Sequence, residues 1–293
     1  MGKIKAILVA TDFSEASQLA IERAAQLGQE HQAALEILHV IEEQLPQDES
    51  HSVGTSAAAE KKLAEIAAKF VPPLVPCRHR VATGKDFVAI IRCARQAQAT
   101  LIVIGAHGEH TLKDHVFGTT TQKLARKASI PLLVVKQPSQ APYQRILAAT
   151  DFSDASRRAL EVALDVAPQA EIDLLHAYGI WGESRLSLAG AGPQDRINYL
   201  RQIENSTSRS LREWLEGINV RGRHVDMHLR QGHPAAVIAQ LAVERQADLV
   251  AMGTTGRSGL PYILIGSVAE KALPAVPCDT LVAKPHDFRF ELP

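Results

Sequence analysis

Cysteine is scarce in this chain of 293 residues: Cys77, Cys93 and Cys278 are odd in number and carry no paired spacing. That argues against a disulfide framework and a cysteine-based zinc finger, and the thiols are expected to be buried or incidental in a reducing compartment. Neither sign of charge is in excess, Lys plus Arg and Asp plus Glu standing at 32 each. No general field therefore draws the protein to nucleic acid or an anionic membrane. No apolar run approaches the ~20 residues that span a bilayer, and Met1–Lys5 lacks the apolar core of a signal peptide. A cytoplasmic, soluble chain is expected, with neither membrane nor nucleic acid as partner. Gly2 suggests myristoylation, but position six is Ala. The GxxxxGK[ST], GxGxxG and GxSxG patterns are also missing, which disfavours P-loop hydrolases, nicotinamide dehydrogenases and elbow-type serine hydrolases.

What is present is a duplication. Gly105-Ala-His-Gly108, followed by Gly118-Thr119, returns as Gly253-Thr-Thr-Gly256, followed at the same interval by Gly266-Ser267. Thr11-Asp12-Phe13-Ser14 returns as Thr150-Asp151-Phe152-Ser153. Two unrelated motifs repeated in the same order mark duplicated domains, expected at 1–138 and 144–293 with the proline-flanked segment 138–142 as linker.

Each half alternates apolar runs with helical periodicity. In the first, strands are expected at Ile4–Ala10, Leu35–Ile41, Arg78–Ala82, Leu101–Ile104 and Leu132–Val135, and helices at Ala16–Leu27, 55–70, Phe87–Gln98 and Thr119–Ser129, with Ser14 as N-cap and Gly28 as C-cap of the first helix. The second repeats this with strands at 145–151, 171–177, 224–230, 248–252 and 280–284 and helices at 154–167, 194–216, 234–246 and 267–274. The fold class is α/β: two doubly wound, parallel, five-stranded sheet domains in tandem, Rossmann-like. Residues 179–192 of the second half carry extra length, expected as a packed surface loop or a flap over a cleft. Glu22-Arg23 and Arg157-Arg158 read as solvated helix faces.

In such sheets ligands settle beyond the carboxyl ends of strands where the winding reverses. Asp12 and Gly105 fall at two such ends, Asp151 and Gly253 at their copies. Glycines let amides approach an anion, and Gly118-Thr119 or Gly266-Ser267 opens a helix whose free N–H groups favour phosphate. The carboxylates of Asp12 and Asp151 suit ribose hydroxyls or a hydrated cation. Turns and caps explain either motif taken singly; their paired repetition points to a nucleotide. His107, His110 and His115 crowd the first glycine loop, but their spacing matches no familiar zinc site, and loop or phosphate-donor roles are expected.

On Thr11-Asp12-Phe13-Ser14 and its copy, on His39-Val40 and His176-Ala177, and on the Gly-x2-Gly-x9-Gly-(Ser/Thr) pattern, the chain resembles the universal stress protein family in its tandem form. That resemblance implies the adenine nucleotide alpha hydrolase-like fold, pairing of the two domains through their last strands, and ATP held often with Mg²⁺. It places Asp12 or Asp151 at the ribose, Val40 or Ala177 beside adenine, and Gly105, Gly108, Gly118, Gly253, Gly256 and Gly266 at the phosphates. Ile104, Met252, Thr119, Thr120, Ser267, Val268 and Arg257 complete the candidate set.

The halves depart unequally from this pattern. Arg257 follows Gly256 in the second and can neutralise phosphate, whereas Glu109 stands there in the first, and Thr100 replaces the residue matching Asp248. The second half is the expected binder. Binding of adenine nucleotide as a regulatory ligand, in an internal pseudo-dimer with a further homodimer left open, is the preferred reading. A slow Mg²⁺-dependent ATPase and a nucleotide-free interaction protein are the alternatives.

Overall fold

The computed structural model describes residues 4–42, 49–107, 118–179, 193–254 and 265–290. The first half runs β1 (Ala6–Thr11), α1 (Glu15–His31), β2 (Ala34–Ile41), α2 (Glu49–Phe70), β3 (Cys77–Thr83), α3 (Asp86–Gln96), β4 (Leu101–Gly105), α4 (Thr119–Lys127) and β5 (Leu132–Val135). The second runs β6 (Arg145–Ala149), α5 (Asp154–Val166), β7 (Glu171–Tyr178), α6 (Pro193–Glu216), β8 (Val225–Gln231), α7 (Pro234–Glu244), β9 (Leu249–Gly253), α8 (Ser267–Ala275) and β10 (Asp279–Ala283). Every expected element is present. The helix expected from residue 55 begins six residues earlier, at Glu49, and α4 stops at Lys127 rather than Ser129.

Gly28 does not end α1. The helix continues to His31 and closes on Gln32 in the left-handed region at φ 53°. Gly28 is instead a packing position: a β-carbon there would lie 2.9 Å from Val75 Cγ1. A glycine near a helix end has two physical uses, and close approach rather than backbone handedness decides this one.

The strands form one ten-stranded sheet in the order β3-β2-β1-β4-β5-β10-β9-β6-β7-β8. Pairing is parallel inside each half; β5 and β10 join the halves antiparallel, with Leu133 opposite Leu281. The sheet is therefore mixed. Alternate strand residues feed two cores, one on each face. Ile7 and Val9 belong to the core beneath α1, α2, α5 and α6, while Leu8 and Ala10 belong to the core beneath α3, α4, α7 and α8. Both cores run unbroken through the β5–β10 junction.

A polar cluster ties the junction at one edge. Asp279, 1% exposed, accepts from Tyr143 Oη (2.6 Å), Lys136 N (2.8 Å) and Gln137 N (3.1 Å), and Arg23 Nε lies 3.4 Å from it. Arg23 also stacks 4.1 Å over the Tyr143 ring and donates to Ala141 O. The helix face holding Arg23 is thus a domain junction, not solvated surface, as the residue is only 5% exposed. Arg158, too, is turned inward, donating to the carbonyls of Lys284 and Pro285. Sequence position hides such pairs because the partners lie more than a hundred residues away along the chain.

Fourteen residues, 179–192, separate β7 from α6, against seven, 42–48, between β2 and α2. The extra length falls where expected, though residues 180–192 lie outside the described residues. Among the described residues no helix is long and apolar enough to cross a membrane.

Candidate functional site

In both halves the winding reverses beside the first strand: β1 lies between β2 and β4, and β6 between β7 and β9. The ends of these strands part there and leave a crevice. Thr11 and Thr150 anchor its first lip. Thr11 Oγ1 meets Ser17 Oγ at 2.9 Å and accepts from Phe13 N, and Thr150 does the same with Ser156 (3.0 Å) and Phe152 N. Asp12 Oδ1 and Asp151 Oδ1 each accept from the N–H and hydroxyl two residues on, at Ser14 and Ser153, whose oxygens in turn cap α1 and α5. The cap reading of these motifs holds, and the Asp that sets each turn also lines the crevice.

The turn is held against its own preference. Phe13 and Phe152 sit at φ 69° and 66°, a left-handed conformation costly for an aromatic residue. Each ring stacks on a histidine of the neighbouring strand, Phe13 on His39 at 4.2 Å and Phe152 on His176 at 4.3 Å. Those histidines donate from Nδ1 to the carbonyls of Thr11 (2.9 Å) and Thr150 (2.8 Å). A carbonyl only accepts, so the bond fixes the proton on Nδ1.

The glycines divide into two kinds. Gly105 and Gly253 line the crevices, but what forbids a side chain is the adjacent helix: an added β-carbon would come within 2.6 Å of Ala16 O at Gly105 and 2.7 Å of Ser156 N at Gly253. Gly118 and Gly266 are the N-caps of α4 and α8 and, being glycines, supply no side-chain cap. Each donates its N–H back across the loop, Gly118 to Ala106 O (3.1 Å) and Gly266 to Thr254 O (2.6 Å), so each glycine loop leaves and rejoins the fold at one point. Gly108, Gly256 and Arg257 lie outside the described residues, as do His110 and His115.

The second cleft is a cavity of about 440 Å³. Ala149, Leu175, Ala177, Ile238, Met252, Ile265 and Val268 give it an apolar wall, Asp151 stands at the lip, and Gly266 and Ser267 form its far end. That size and mix suit a small-molecule site. The first cleft has about 470 Å³ and the corresponding Asp12, Val40, Ile104, Gly105, Gly118, Thr119 and Thr120, with His107 beside them. Its chemistry differs: Glu42 and Asp86 also line it. Asp86, on the first turn of α3, accepts a short hydrogen bond from Thr120 Oγ1 and lies 3.5 Å from Lys123 Nζ. An internal carboxylate therefore already stands at the uncapped end of α4, where a ligand phosphate would be drawn. In the second half the matching residues are Pro234 and Val268, and the carboxylate near that helix end is Glu270, on the first turn of α8, which pairs with Arg126.

All described candidates thus gather at the two crevices. Sequence reasoning missed Asp86, Glu42, Ile90 and Ile238, and it missed Arg126, an α4 residue of the first half that lines the second cleft. The shared spacing of Asp86 and Pro234 from the glycines carried the signal for the first of these; nothing local marks Arg126.

A family model described as "Universal stress protein family" matches residues 3–136 and again 142–284. Among curated relatives, a universal stress protein of Mycolicibacterium smegmatis is 28% identical, over 96% of this chain and 97% of its own length. One of Methanocaldococcus jannaschii is 32% identical, over 48% of this chain and 82% of its own. Among solved structures, a universal stress protein from Archaeoglobus fulgidus aligns over 97% of this chain and all of its own at TM-score 0.70 and 23% identity, which speaks to the fold.

Proposed function

Because the chain belongs to the universal stress protein family, with two copies of its domain in tandem, we propose that it binds one adenine nucleotide per chain, ATP or a close analogue, as a regulatory ligand in the second cleft. The observation that carries this is the contrast between the clefts. The second offers an apolar wall leading to the glycine-capped N-terminus of α8, where Glu270 is paired with Arg126; in the first, Asp86 bonds Thr120 at the start of α4, with no such cation from the other half among its described lining residues. The base lies against Ala177 and Ile238, the ribose beside Asp151, and the phosphates at Gly266, Ser267 and the loop carrying Gly256 and Arg257. Asp151 is the carboxylate through which a hydrated Mg²⁺ on those phosphates is steadied. The paired β5 and β10 make the chain an internal pseudo-dimer, in which ligand at one cleft biases the surface shared by both halves, provided it favours one arrangement over another.

Isothermal titration with ATP tests the assignment. The wild-type protein is expected to bind with a stoichiometry near one. Val268→Glu sets a carboxylate at the α8 N-terminus and is expected to weaken binding at least about tenfold, while Thr120→Glu in the first half leaves it unchanged. Absence of saturable binding to wild type, or sensitivity only to Thr120→Glu, overturns the proposal.

A further inference from the structure

Arg126 belongs to the first half but lines the cleft of the second. It sits in the last turn of α4 and pairs at 2.9 Å with Glu270 Oε1 on the first turn of α8, which also lines that cleft. Among the described residues lining the cavity it is the sole cation, facing the carboxylates of Asp151 and Glu270. Its Nε is buried and has no hydrogen-bond partner among the described residues. The side chain as a whole is 37% exposed, so its outer nitrogens, not the enclosed Nε, face the cleft and its solvent.

The arrangement runs one way only. The residue of α8 matching Arg126 is Pro274, and the residue of α4 matching Glu270 is Gln122. The first half therefore lends a cation to the second cleft and receives none in return.

We propose that Arg126 is an anion-recognition residue of the second cleft supplied across the domain junction, held ready by Glu270 and drawn to the phosphate groups of the bound ligand. Its planar fork can keep Glu270 on Nη2 while Nη1 serves another acceptor in a fixed geometry. Phosphate recognition in one domain then depends on the docking of the other, so a ligand in the second cleft pulls on α4, whose opposite end forms part of the first. This inference rests on the nucleotide reading above.

Titration of the full-length protein with ATP and, in parallel, adenosine separates the two claims. Arg126→Ala is expected to weaken ATP about ten- to hundredfold and adenosine less than about twofold, as loss of a charge-assisted contact to phosphate requires. Arg126→Lys is expected to recover part of the loss, and Glu270→Gln to leave ATP as tight as in wild type or tighter. Arg126→Ala binding ATP like wild type overturns the inference and leaves the nucleotide reading standing. Equal weakening of ATP and adenosine also overturns it, since that marks a merely structural role. Wild-type protein that binds neither ligand overturns the nucleotide reading itself.

Discussion

Lys284 shows how the fold tolerates a residue that nothing local would bury. Its side chain is almost wholly enclosed just past β10, its Nζ has no hydrogen-bond partner among the described residues, and the Phe288 ring lies 4.8 Å away. Burial lowers its pKa from 10.5 to about 8. Between those values the unfolded chain binds the extra proton, so this residue's contribution to stability rises with pH; below pH 8 its full cost stands. Lys284→Met is expected to stabilise the protein by about 1–3 kcal/mol at pH 7. The gain should shrink as pH climbs from 8 toward 10.5, read as the difference between urea midpoints of variant and wild type. A gain independent of pH would contradict this account. Comparing the two proteins cancels the opposite drift from Cys278, whose thiol burial pushes up to about 12. The matching Lys136 escapes isolation by donating to Leu273 O and Val276 O at the end of α8. Neither fate is legible in the sequence, where both lysines simply follow a strand. Arg23 was misread for the same reason: its carboxylate partner, Asp279, comes from the far end of the chain.

At the scale of elements, periodicity and caps placed the ten strands and eight helices of the described residues in order, because the signals for them are local. Ser14 and Ser153 cap as expected, their oxygens accepting from the N–H three residues on. The failures fall at ends where two local readings compete, as at Gly28. The left-handed residue that does close α1 is Gln32, and Gln32→Gly is expected to raise stability by about 0.5–1 kcal/mol, visible as a higher melting temperature. A lower melting temperature would show that the Gln32 side chain contributes more than its backbone costs. The repeated glycine intervals disclosed where the clefts lie, yet only part of why they are glycines. Gly105 and Gly253 answer to the helices behind them, while Gly118 and Gly266 are N-caps that bring no side chain to the helix end. The helix ends also differ in their carboxylates: Asp86 on α3 bonds Thr120 at the start of α4, whereas Glu270 on the first turn of α8 is paired with Arg126.

For the whole molecule, duplication predicts two equal domains and the structure gives one sheet with two unequal clefts. The cores on both faces pass through the β5–β10 junction without interruption, so the halves are expected to unfold in a single calorimetric transition rather than two. Asp279→Ala removes the acceptor for Tyr143, Lys136 and Gln137 and strands the buried Arg23. A loss of about 3–5 kcal/mol is expected, and a change below about 1 kcal/mol in denaturant titration would show the junction to rest on Leu133, Leu281 and their neighbours alone. The family and the fold were readable because strand-end motifs recur along the chain. The inequality of the clefts was readable only in part, since Arg257 and Glu109 hinted at it while Asp86 and Arg126 act through contacts with other elements. Diffraction from crystals equilibrated with millimolar ATP tests that inequality most directly. Density for one nucleotide in the second cleft, with its phosphates at Gly266 and Ser267 and the first cleft free of nucleotide with the bond between Asp86 and Thr120 intact, is the predicted result; nucleotide in the first cleft, or in neither, contradicts it.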